Sequence, residues 1–139
     1  MEVVETAAAL HASSPAARYS AVGAMASLMR TVDAEELKSR GVDPAATLIE
    51  VARKETRSAV LYAIHGEMSK EDIPPDVAEP ILGAVHESPY LKSHEKKVVA
   101  NDIVAVRRRR EAAATAPWRT VTATRPTDAD SPATQPAAP

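Results

Sequence analysis

A chain of 139 residues with 17 Lys and Arg against 19 Asp and Glu has room for one compact domain but hardly two, and its formal charge of −2 offers no bulk attraction to a polyanion. Cysteine is absent, which excludes disulfides, thiolate metal sites and a cysteine nucleophile. There is no Phe, only one Trp and three Tyr, and much of the apolar content is Ala, so the β-branched and aromatic excess of packed sheets is missing and an all-α, small multi-helix bundle is expected.

Helices are predicted near 2–12, 15–31, 33–40, 43–66, 75–87 and 89–112. Ser14-Pro15, Asp43-Pro44, Pro74-Pro75-Asp76 and Ser88-Pro89 each place a capping side chain or a first-turn proline ahead of an apolar-periodic stretch. Gly41 and Gly66 stand where helices should close, because glycine takes the left-handed cap conformation at little steric cost. Leu48, Ile49, Ala52, Ala59, Val60, Ala63 and Ile64 form an apolar stripe interrupted by Arg53, Lys54, Glu55 and Arg57, so residues 43–66 read as one long helix or as two. In the last helix Val99, Ile103 and Val106 share a face, with Arg107, Arg108, Arg109 and Arg110 at the far end.

Four segments follow: N-terminal packing helices over 1–32, a helical core over 33–91, a basic amphipathic helix over 92–113, and a disordered tail over 114–139. The tail is rich in Pro, Ala and Thr and has no periodic apolar face to offset the entropy of ordering. Its Trp118 is either a loosely docked side chain or a short contact for a protein partner. No apolar run approaches the ~20 residues of a membrane span. Glu2 and Glu5 occupy the place where a secretory signal carries positive charge, so a cytoplasmic protein without membrane contact is expected.

Candidate chemistry is sparse. His11, His65, His86 and His94 have no partners at the three- or four-residue spacing of a helical metal pair, so no metal site and no cofactor is assigned. No serine elbow or glycine-rich phosphate loop is present, and Glu35-Glu36 and Glu71-Asp72 fit first-turn or loop positions better than acid–base work. The expectation is a non-enzyme.

Charge, by contrast, is segregated. Residues 67–87 carry six acids and one base, while 89–111 carry seven bases and three acids. The two segments either match each other internally or leave a basic face exposed to a phosphate backbone.

The run Thr56-Arg57-Ser58-Ala59-Val60-Leu61-Tyr62-Ala63-Ile64-His65-Gly66 resembles the recognition helix of Cro-type helix-turn-helix phage and plasmid repressors. The resemblance spans about 33–91: upstream, Glu36-Leu37-Lys38-Ser39-Arg40-Gly41-Val42 is similar to the end of the family's first helix, and downstream come Pro75, Ser88, Pro89 and Leu91. Between Val51-Ala52 and Val60 there are two residues fewer than in the family, and the turn lacks its usual glycine. The resemblance implies a transcriptional repressor on double-stranded DNA. Thr56, Arg57 and Ser58 would meet base edges, and Arg53, Lys54, Tyr62 and Arg107 to Arg110 would hold phosphates. Ala7, Ala8, Leu10, Val22, Met25, Leu28 and Met29 would supply a homodimer surface. The competing expectation is a helical adaptor or assembly protein, because small residues allow close helix approach and methionines adapt to varied surfaces.

Overall fold

The computed structural model describes residues 3–115, and among them the chain forms seven α-helices and no strand. They are α1 (Val3–Ala9), α2 (Pro15–Thr31), α3 (Ala34–Ser39), α4 (Pro44–Lys54), α5 (Ser58–Met68), α6 (Pro75–Glu87) and α7 (Ser93–Thr115). The chain divides into two units, residues 1–107 and 108–139, and the packing described below belongs to the first.

The helix punctuation follows side-chain chemistry. Ser14 accepts a hydrogen bond from the Ala17 N–H at 3.3 Å, and Asp43 accepts one from the Ala46 N–H at 3.2 Å, each ahead of a proline at the first helical position. Helix α3 closes on Gly41 at φ +82°, where the Gly41 N–H donates to Lys38 O at 2.9 Å and the Val42 N–H to Leu37 O at 3.0 Å. Leu37 and Val42 are both buried, so the left-handed glycine cap and its hydrophobic contact reinforce each other.

Three sequence expectations are corrected. The first helix covers Val3–Ala9 instead of 2–12. Gly66 lies inside α5, which runs on to Met68 because Met68 is fully buried and the core extends that far. Ser88-Pro89-Tyr90 is a turn, stabilised by the Tyr90 N–H donating to Ser88 Oγ at 3.2 Å, and the last helix starts at Ser93 and continues to Thr115. The segment 43–66 is two helices, broken at 55–57. The tail assignment for 116–139, with Trp118, lies outside the described residues; Ala114 and Thr115 belong to α7.

Helix α5 is the centre of the bundle. Val60, Leu61, Ile64 and Met68 are buried, and the helix packs on α2 and on α6, while α4 packs on α6 and α1 on α2. The opposing faces supply Val22, Met25 and Ala26 from α2, and Ile81, Leu82 and Val85 from α6, so Leu10, Val22 and Met25, expected on a homodimer surface, are instead buried in the core. Helix α7 buries only Val99 and Val106, and it adds two polar contacts: His65 Nε2 with Asp102 Oδ2, and Arg107 Nε with Glu79 Oε2 at 2.6 Å. The second contact joins the acidic segment 67–87 to the basic segment 89–111, so part of the charge segregation is an internal match.

Candidate functional site

The break between α4 and α5 is built around Glu55. Leu48, Val51 and Ala52 define the buried side of α4, and Glu55 continues that register into the core, where it is 4% exposed. A buried carboxylate requires a partner. Arg18 of α2 provides it through two parallel bonds, Nε to Oε1 at 2.7 Å and Nη2 to Oε2 at 2.9 Å. The remaining Arg18 nitrogen, Nη1, donates to Ala12 O at 2.8 Å and Ser13 O at 3.1 Å, which ties the loop before α2 into the same network.

Glu55 also turns the backbone. Its Oε2 accepts the Thr56 N–H at 3.1 Å and the Arg57 N–H at 3.0 Å, and both Glu55 (ψ 135°) and Arg57 (ψ 119°) are extended. Those two amides are thereby satisfied without an intrahelical bond, which removes the penalty for leaving the helix at this point. Burial pushes the Glu55 carboxyl up, but the Arg18 guanidinium and the Arg57 and Thr56 N–H groups together hold it below the usual carboxylate range.

Around this braced corner the chain exposes Arg53, Lys54, Thr56 and Arg57, with Ser58 half-buried at the start of α5. Lys54 Nζ pairs with Glu50 Oε2 at 3.0 Å, whereas Arg53 and Arg57 have no carboxylate partner among the described residues. Tyr62, one turn along α5, is half-buried and its ring lies 4.6 Å from that of His65. Arg107 is committed to Glu79, and Arg108, Arg109 and Arg110 continue along α7 in the second unit. The corner thus gathers Arg53, Lys54, Thr56, Arg57 and Ser58. Tyr62 belongs to the face that runs away from it.

That face is the second feature, and sequence reasoning passed over it. Beyond Ser58 the outward side of α5 carries Ala59, Tyr62, Ala63 and Gly66, and the neighbouring side of α2 carries Ala16, Tyr19, Ser20 and Gly23. Between them runs a furrow of two recesses. One, of about 460 Å³, is lined by Ala16, Ser20, Arg57 and Ser58 among others; the next, of about 550 Å³, by Gly23, Tyr62, Ala63 and Gly66 among others. Tyr19 and Ala59 line both.

Gly23 and Gly66 are helical, neither has a positive φ, and a Cβ placed on either would meet nothing within 4 Å. A glycine inside a helix costs roughly 0.5–1 kcal/mol relative to alanine. Nothing inside the described protein requires the missing Cβ at these two positions.

His65 sits at the far end of the furrow, 6% exposed. Its Nε2 is bonded to Asp102, while its Nδ1 is buried without a partner among the described residues. Ser69 Oγ lies 2.8 Å from His65 O and 3.2 Å from Asp102 Oδ2, so its single proton is shared between them. Because His65 falls on the buried side of α5, a polar partner was to be expected from its position in the stripe; that the partner is Asp102 had no local signal. No group of three or more His, Asp or Glu that could hold a metal ion occurs among the described residues. No helix among them is long and apolar enough to cross a membrane.

No family model matches the chain, and no curated protein or solved structure matches it either.

Proposed function

We propose that this protein is a helical interaction module that receives a partner helix in the furrow between α2 and α5. The observation that carries the reading is the pair of helical glycines, Gly23 and Gly66, which line one recess and where an added Cβ would meet open space. Small side chains on both walls let an incoming backbone come close, so that dispersion contacts form over a large area. Two tyrosines at the rim supply rigid contact area with a polar tip, the residue type enriched where protein surfaces meet. Beyond Ser58 the polar side chains that α5 brings to the furrow are the Tyr62 hydroxyl, the largely buried His65 and Glu67 at its end, a sparse set that suits helix packing better than base recognition.

The test uses the immobilised full chain as bait. Proteins retained by the wild type should be lost with Gly66→Leu, which fills the furrow, and kept with Arg53→Ala, which does not touch it. An unchanged set with Gly66→Leu refutes the reading.

A second reading, DNA binding by a repressor, is favoured by one observation: Arg53 and Arg57 stand exposed beside the start of α5 with no carboxylate partner among the described residues. In that reading Thr56, Arg57 and Ser58 meet base edges, and Arg53, Lys54, Tyr62 and the arginines 107–110 hold phosphates. A shift assay with duplex DNA at two salt concentrations separates the two functions. DNA binding predicts affinity falling steeply with salt, and a shallower slope for the Arg53→Ala, Arg57→Ala double variant.

A further inference from the structure

We infer that the occupant of the furrow is the same furrow on a second copy of this chain, related by a two-fold axis that seats Tyr19 of each copy in the recess beside Gly23 and Gly66 of the other. The inference rests on the interaction reading above and names its partner.

A two-fold interface requires one face to carry both a projection and the recess that receives it. This face does. Tyr19 is 55% exposed and rises between the two recesses, lining each. The recess beyond it is the one floored by Gly23, one helical turn further along α2, and by Gly66 on α5. Along the furrow, Tyr19 and Ala59 stand where the two recesses join and Gly23 and Gly66 lie further on, so the level of Tyr62 falls between the projection and the two glycines. A two-fold axis at that level exchanges them.

The charges at the two ends agree with the same axis. Among the described residues, Arg57 at one end has no carboxylate partner, and Glu95 at the other accepts the Lys92 N–H at 3.0 Å and has no cationic partner. Arg57 lies five residues before Tyr62, and the end that Glu95 shares with Glu67 lies five residues after it. The axis therefore brings Arg57 of each copy to Glu95 of the other, and the two lone charges become two ion pairs at the rim.

Sedimentation of the full chain over a range of concentrations tests this. The wild type should form a dimer. Tyr19→Ala should raise its dissociation constant by about a thousandfold, the scale of the two aromatic hot spots that a two-fold interface loses at once, and Gly66→Leu should abolish it, with helical circular dichroism retained in both. Arg57→Glu and Glu95→Arg should each be monomeric alone, because each sets like charges against each other twice. Mixed together they should form a dimer again, since each copy then offers what the other lacks.

A wild type that stays monomeric up to about 1 mM overturns the inference, as does a dimer indifferent to Tyr19→Ala and Gly66→Leu. A mixture of the two charge variants no more associated than either alone overturns the proposed axis. If the wild type is monomeric while Gly66→Leu still strips proteins from the bait, the second copy is the wrong occupant and the interaction module stands. If Gly66→Leu changes neither measurement, both fall.

Discussion

Apart from Tyr62 on the outer side, the two sides of α5 differ chiefly in side-chain volume. Inward, positions 60, 61, 64 and 68 carry Val, Leu, Ile and Met and are fully buried against α2 and α6. Outward, positions 59, 63 and 66 carry Ala, Ala and Gly and line an open furrow. Large residues on the inner side fill the space that folding encloses. Small residues on the outer side leave a space that folding does not fill, even where a methyl group would fit without contact. The first side stabilises the fold, and the second is shaped for something that arrives later.

The contrast is sharpest where the inner side is cut. Leu61→Ala should lower unfolding free energy by about 2–5 kcal/mol in urea titration, since it empties a fully buried position at the centre of the bundle. A loss below about 1 kcal/mol would mean that the inner side is not closely packed.

Glu55→Ala comes next, at about 2 kcal/mol, because it leaves the half-buried Arg18 without its counterion and frees two corner amides. The same group sets a pH dependence. Glu55 is held below its ordinary pKa in the folded protein, so its contribution is complete above the unfolded value near ~4.3 and is lost as pH falls from there through the lowered native value. Thermal melts of Glu55→Gln should be less stable at pH 7 and lose less on acidification than the wild type. Parallel wild-type and variant curves through the acid range would contradict this.

The smallest effect has the opposite sign. Gly66→Ala should raise stability by about 0.5–1 kcal/mol, because alanine restricts the unfolded chain and its methyl group meets open space. It should also weaken association, by narrowing the furrow. A variant that is both less stable and equally associated would place the glycine in the service of the fold.

Much of this architecture could be read from residue order. Ser14-Pro15, Asp43-Pro44 and Pro74-Pro75 marked three helix starts, and Gly41 marked one helix end, because capping is a local affair of one side chain and the next few amides. Gly66 misled because a glycine near a helix end usually closes it, and only the burial of Met68 shows why the helix goes on. The break at 55–57 was left open for a physical reason. It depends on Arg18, 37 residues away, and no local propensity reports on that pairing.

One signal was nonetheless there: Glu55 falls in register with Leu48, Val51 and Ala52, and an acid in an apolar register demands a buried cation. Among the candidate residues, Arg53, Lys54, Thr56, Arg57 and Ser58 do cluster, since five adjacent positions at a corner can hardly do otherwise. The furrow was illegible because its walls come from 15–23 and 57–66, and alanines and glycines carry no chemistry to draw attention to them.

The four glycines make a direct test of where a second chain lands, because Gly23 and Gly66 line the furrow while Gly41 closes α3 and Gly83 lies on α6. Glycine amide resonances followed by NMR across a concentration series should shift for Gly23 and Gly66 and stay fixed for Gly41 and Gly83. Four stationary resonances at concentrations where the protein is dimeric, or movement confined to Gly41 and Gly83, would contradict the account.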